Sequence, residues 1–171
     1  MPPQTHILGM SLSLYTQIHV AISVIGIASG LVVVRGMLAA RILSAVTALF
    51  LATTLLTSLT GFLFPFHGIT PGIVIGILSV VLLAAAILGL YAFHLAGAWR
   101  WIYVVTSVIA LWFNVFIFIV QSFQKIPVFH ALAPTGTEAP FKIAQLAALV
   151  IFIILGVFAV KRFHPAAPPV V

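Results

Sequence analysis

Apolar residues run almost unbroken along this chain, interrupted only by short polar or Pro/Gly-rich breaks. The runs cover residues 11–34, 42–64, 73–95, 101–123 and 143–160. A bilayer core asks for about 20 apolar residues in a helix, so each run can cross, the last only just. Continuous runs lack the residue-by-residue alternation of a membrane strand. The pattern therefore predicts an all-α integral membrane bundle of five transmembrane helices, a single transmembrane domain over residues 1–171. The breaks are chemically sensible. Arg35-Gly36 ends the first run and Arg41 opens the second. Pro65, Gly68, Pro71 and Gly72 bracket a tight second loop, and Gly97 and Arg100 mark the third. The fourth break, a loop over residues 124–140, holds Pro127, Pro134, Gly136, Pro140 and the one acidic residue, Glu138.

Composition strengthens this reading. The chain is 64% hydrophobic and 5% charged, with a mean hydropathy of +1.36. A soluble domain carries roughly 25% charged residues. Cysteine is absent, which removes disulfides, thiolate metal ligands and Cys nucleophiles. The net charge of +6 comes from Lys and Arg at helix ends, where they face lipid headgroups. The expected partner is the lipid bilayer, with no nucleic acid. Residues 1–10 hold no Lys or Arg and lead into no A-x-A-like site, so no cleaved leader is expected. Arg35, Arg41, Arg100, Lys161 and Arg162 collect on one side, against Lys125 and Lys142 on the other. Positive charge stays in the cytoplasm. This predicts a multi-pass protein of the cell inner membrane, N-terminus outside and C-terminus cytoplasmic. Trp99, Trp101 and Tyr103 would form a cytoplasmic aromatic belt, with Tyr15 near the outer interface.

Polar and small residues share faces. His19, Ser23, Gly26 and Gly30 make one stripe on the first helix. Gly26 to Gly30 and Gly72 to Gly76 are G-x-x-x-G patterns, which permit close helix packing. Packing within the chain is the expected use, a dimer seam the alternative. The second helix carries Thr47, Thr54, Ser58 and Gly61 on one face, with Thr53, Thr57 and Thr60 beside them. These hydroxyls suit interhelix bonding or a lined polar cavity. The fourth helix aligns Tyr103, Ser107, Ala110, Asn114 and Gln121. An amide in hydrocarbon needs a partner. At 1.5 Å per residue, His19 lies ~12 Å and Asn114 ~14 Å from the outer end, so the two could meet at one level.

Histidine supplies the candidate chemistry. His19, His67 and His130 fall toward the outer side and form the candidate metal set, because imidazole is the usual nitrogen ligand of Zn, Cu and haem iron. His94 lies too near the opposite side to pair with His19 across a haem. His19, Asn114 and Gln121 form the candidate cofactor site, for haem, quinone or copper. The plain alternative for His19 is a hydrogen bond to Asn114 or to a second-helix hydroxyl. No Asp or Glu lies in any run, which disfavours a proton-driven transporter. No G-x-x-x-x-G-K-[ST], H-E-x-x-H or G-x-S-x-G is present, so catalysis is not the leading expectation. The fourth loop mixes Phe123, Ile126, Val128, Phe129 and Leu132 with Lys125 and His130. Such a loop can lie on the membrane, cap the bundle or meet a partner.

The segments 60–66 (TGFLFPF), 120–127 (VQSFQKIP) and the Ala133-Pro134-Thr135 stretch leading to Pro140-Phe141 resemble a group of small multi-pass bacterial inner-membrane proteins. The resemblance covers most of the chain and implies location and topology, with no activity attached. Two functions of different class follow from the residues. One is a non-catalytic accessory or assembly subunit that meets other membrane-protein subunits. The other is a haem-, quinone- or copper-binding redox protein with its site in the outer half. A small uncoupled channel or permease, lined by the second-helix threonines, ranks third.

Overall fold

The computed structural model describes residues 6–65 and 71–165. The described residues are all-α apart from a two-stranded hairpin. β1 (His6–Ile7) pairs antiparallel with β2 (Met10–Ser11). Leu8 and Gly9 turn it with φ of 52° and 77°, both positive, as a two-residue type I′ connection requires. Six helices follow: α1 (Leu12–Leu38), α2 (Ser44–Gly61), α3 (Pro71–Ile87), α4 (Trp99–Lys125), the short α5 (Pro127–Leu132) and α6 (Ala139–Arg162). A π-helical turn, Leu88–Ala92, extends α3. Five of these helices are long and apolar enough to cross a membrane, the third being Gly72–Ala92. This is a multi-pass membrane bundle.

Three helices, α1, α4 and α6, outrun their apolar segments, whereas α2 is shorter than its own. Ser11 begins α1 by accepting a hydrogen bond from the Leu14 N–H at 3.3 Å, so α1 starts at an N-cap serine. It continues through Arg35 to Leu38 because arginine propagates a helix well. It ends in a Schellman turn. The Arg41 N–H reaches Gly36 O at 2.9 Å and the Ala40 N–H reaches Met37 O at 3.1 Å. Ala40 takes the left-handed position, φ 54°, usually given to glycine. A Cβ on Gly36 would stand 3.1 Å from Arg41 O, so this turn folds back tightly over its own helix. α4 likewise extends to Lys125, and the fourth loop is not featureless: Pro127 opens α5 within it.

Consecutive helices pack antiparallel, α1 on α2 and α4 on both α3 and α6. The core gathers in the half of the bundle away from the hairpin. Met37, Phe50, Leu83, Leu111, Val104 and Phe163 are each at most 1% exposed. Tyr103 joins this core at 2% and so leaves the aromatic belt expected from sequence, while Trp101 faces outward at 49%. Trp99 stacks on Phe93 at 4.0 Å. Arg100 Nη1 donates to Phe163 O at 3.0 Å and ties the end of α6 to the start of α4. α6 fully buries only Phe152 and Ala159, packs Leu155 and Val160 half-buried against the core, and leaves Ile143, Leu146, Ile151, Ile153 and Val157 exposed, as on a lipid-facing surface.

Glycine sets the tightest helix contacts. A Cβ on Gly30 would come within 2.6 Å of Leu111 Cδ1 and 2.8 Å of the Phe50 ring. One on Gly26 would meet Thr54 Oγ1, Asn114 Nδ2 and Thr53 Oγ1 at 3.1–3.3 Å. One on Gly76 would meet the Phe62 ring at 2.8 Å. Gly26, Gly30 and Gly76 thus serve contacts inside this chain. Gly72 lines the cavity described next.

Candidate functional site

At the hairpin end of the bundle the four helices α1 to α4 part around a cavity of about 340 Å³. Each contributes polar groups because each carries its small and polar residues on the inward stripe. α1 supplies His19 and Ser23, one turn apart. α2 supplies Thr54, Thr57 and Ser58. α3 supplies Gly76 and Ser79. α4 supplies Asn114, Gln121 and Lys125. The sequence-predicted trio His19, Asn114 and Gln121 therefore lines one space. Phe62, Phe64 and Phe113 form aromatic parts of its wall.

His19 is held on two sides. Its Nδ1 lies 2.8 Å from Thr60 Oγ1, and its ring meets Phe64 edge-on at 5.2 Å. The proton on this bond can be assigned. Thr60 Oγ1 already donates to Leu56 O at 2.6 Å, and a carbonyl oxygen only accepts. Nδ1–H is therefore the donor to Thr60, and Nε2 of the neutral ring keeps its lone pair. Thr60 is used a third time, since the Tyr15 hydroxyl donates to its carbonyl at 2.7 Å.

Asn114 does not meet His19. Its Oδ1 accepts from Ser23 Oγ at 2.7 Å, one turn deeper. The level estimated from sequence was displaced because α4 runs two residues past the end of its apolar run. Asn114 is 7% and Thr54 2% exposed. Asn114 Nδ2 and Thr54 Oγ1 are both buried without a hydrogen-bond partner. Leaving a buried polar group unpaired costs about 1–3 kcal/mol. Three further buried orphans among the described residues, Ser107 Oγ, Trp112 Nε1 and Gln145 Oε1, lie outside this cavity. Most other hydroxyls of α2 are spent on their own helix: Thr53 donates to Leu49 O, Thr57 to Thr53 O and Ser58 to Thr54 O.

Of the candidate metal set, His19 lines this space. His130 sits exposed on α5 and is not part of the cavity wall. His67 lies outside the described residues. Among the described residues no three His, Asp or Glu side chains cluster as metal ligands would. Sequence reading missed Lys125 and Ser79 as cavity residues. Lys125 stood two residues beyond the apolar run. Ser79 is a lone hydroxyl in the most apolar helix, where nothing flags it.

Near the same end, Glu138 organises the turn before α6. Its Oε1 accepts from Thr135 N–H at 3.0 Å and Oγ1–H at 2.8 Å, and its Oε2 from Thr137 N–H at 3.0 Å. Desolvation raises the carboxyl's pKa, but the Thr135 and Thr137 hydrogen bonds outweigh it and bring it down to about 2.

No protein-family model, curated protein or solved structure matches this chain.

Proposed function

We propose that this chain is a non-catalytic multi-pass protein of a bacterial inner membrane that binds a small uncharged ligand in the α1–α4 cavity. One observation carries the reading. Polar side chains from four helices, among them His19, Ser23, Thr57, Ser58, Ser79 and Gln121, converge with apolar and aromatic walls on a space large enough for a ligand. Ligand pockets span roughly 300–1,000 Å³ and combine apolar walls with a few convergent polar groups. A charged head group is disfavoured at the level of Asn114. Lys125 is the nearest cation on that stripe of α4, eleven residues away, or ~16 Å along the helix. The cavity volume suits one substituted ring better than a four-pyrrole macrocycle. Gly30, Leu111 and Phe50 close the bundle below, which places ligand binding ahead of a channel or permease.

Orientation rests on charge. Arg35, Arg41, Arg100, Lys161 and Arg162 gather at the end away from the hairpin, with Lys125 and Lys142 at the cavity end. This supports an N-terminus outside and a cavity in the outer half. A reporter fused after residue 171 then reads as cytoplasmic.

The binding reading is tested by organic extraction of protein purified gently from its native membrane, followed by mass spectrometry. A small molecule is expected at about one per chain, and Thr57→Leu, which grows into the cavity without breaking an interhelix bond, should displace it. Extracts without a stoichiometric molecule, together with an unchanged melting temperature in Thr57→Leu, would mean a merely hydrated cavity and end the proposal.

A second reading, an accessory subunit, has its own support. α4 and α6 flank an apolar groove of about 240 Å³ where the Trp112 indole N–H is buried without a partner. A partner helix presenting apolar side chains at that level would fill the groove. A photo-crosslinker at Ile153 should then capture one membrane protein, and one at Val74 on α3 should capture none.

A further inference from the structure

We infer that the cavity ligand is a neutral hydrogen-bond donor, an O–H or N–H compound with an apolar body. This rests on the ligand-binding reading above and names the class of its ligand. The α1–α2 wall of the cavity carries five half-buried polar side chains, Thr16, His19, Ser23, Thr57 and Ser58. Each has already given its proton away. Thr16 Oγ1 donates to Leu12 O at 2.8 Å, Thr57 Oγ1 to Thr53 O at 2.9 Å and Ser58 Oγ to Thr54 O at 3.1 Å. A backbone carbonyl only accepts, so the direction of these three bonds is fixed. Ser23 Oγ donates to Asn114 Oδ1 at 2.7 Å, and His19 gives Nδ1–H to Thr60. Thr54, the sixth polar residue of this wall, is buried against Gly26 and out of reach. What the wall has left to offer is lone pairs. A hydroxyl that donates to its own helix still accepts. His19 Nε2 accepts too. It has no partner, and it is not closed off as Asn114 Nδ2 is.

A wall of acceptors calls for a guest that donates. A cation and a neutral O–H or N–H both do so, and charge separates them. The chain's one acid, Glu138, is spent on the turn before α6. No carboxylate therefore stands on the cavity wall, whereas Lys125 does. A cation would meet lone pairs, a like charge and no counter-charge, at a steep cost within a membrane. A neutral donor meets the same lone pairs without that cost. An ether or ketone of the same shape would set its own lone pairs against those of the wall and leave both unpaired. On α3 and α4, Ser79, Gln121 and Lys125 keep protons to give. A hydroxyl, which donates once and still accepts, suits both sides of the cavity.

The experiment titrates the full chain in nanodiscs by fluorine NMR, with empty nanodiscs correcting for partition into lipid. The probes are para-fluorobenzyl alcohol, its methyl ether and para-fluorobenzylamine, which share one ring and differ in donor and charge. The alcohol is expected to bind about threefold to tenfold more tightly than the ether, the net worth of one hydrogen bond, and more tightly than the charged amine. Two variants remove acceptors. His19→Phe keeps a ring against Phe64 without its nitrogens. Thr57→Val combined with Ser58→Ala keeps the wall's shape and breaks no interhelix bond. At least one of the two should bring the alcohol down toward the ether. An ether bound as tightly as the alcohol, or an alcohol preference that survives intact in both variants, overturns the donor assignment. An amine bound more tightly than the alcohol makes this a cation site and overturns it as well. A wild type that binds no probe but releases a stoichiometric O–H or N–H compound on extraction supports the assignment. Release of a molecule that only accepts overturns it and leaves the ligand-binding cavity standing. A wild type that binds no probe and releases nothing overturns both.

Discussion

The two ends of the α1 interface differ within one helical turn. At Gly30 the helix lies against Leu111 and the Phe50 ring so closely that a methyl group has no room. At Gly26 the same face meets Thr54, Thr53 and Asn114, and the helices open toward a cavity. Glycine on a small-residue stripe lets backbones approach in both places. What differs is the partner. Carbon against carbon closes the seam, whereas hydroxyl and amide groups leave polar atoms that need a counterpart. A G-x-x-x-G pattern therefore states that helices come near one another, without stating whether the contact is dry.

The largest effect should come from damaging the closed end. Gly30→Leu forces side-chain volume onto Phe50 and Leu111, and overpacking typically costs about 1–3 kcal/mol. Thr57→Leu also enlarges a side chain, by a smaller amount, at the open end and should leave thermal stability in ligand-free protein unchanged or higher. Equal losses in both variants would abolish the contrast. A smaller effect comes from the polar pairs. A double-mutant cycle on Ser23→Ala and Asn114→Leu should show coupling of about 0.6 kcal/mol, the average for such bonds in a membrane. His19→Ala with Asn114→Leu should add to within about 0.3–0.5 kcal/mol, since the two residues hold different partners. Coupling between His19 and Asn114 would contradict their separate bonding.

Away from both ends, Ala40→Gly relieves the left-handed strain of the α1 turn. The strain costs about 1–2 kcal/mol and glycine gives back about 0.5–1 kcal/mol in chain entropy, so a gain of up to about 1.5 kcal/mol is expected, read as a higher denaturation midpoint. The smallest effect is in the turn before α6. The folded pKa of Glu138, about 2, lies below its ordinary 4.5. The ionised carboxylate therefore stabilises the turn fully above pH 4.5, and that contribution disappears as pH falls toward 2. The protection of the Thr135 and Thr137 amides, measured against their intrinsic exchange rates, should fall over this window in the wild type and not in Glu138→Gln.

The spans could be read from the sequence because crossing a membrane depends on the length and polarity of a run, which are one-dimensional properties. The inward stripes could be read because helical spacing fixes which residues share a face. His19, Asn114 and Gln121 were found in this way, and so was a second-helix hydroxyl as the partner of His19. The pairing of Asn114 with Ser23 could not be read. Depth counting gives a level along the membrane but not the azimuth of a helix, and an error of two residues at a helix end shifts a level by half a turn. α5 escaped because a six-residue helix has too little length for a period to show.

Thr60 carries a mechanical consequence. Through its hydroxyl and carbonyl it holds both His19 and Tyr15, residues one turn apart on the neighbouring helix. Two attachment points fix a rod against both rotation and sliding, whereas one would leave it a pivot. At this end α1 and α2 therefore move as one body. α3 meets that body through Gly76 against the edge of the Phe62 ring, a contact with carbon that has no such polar clasp.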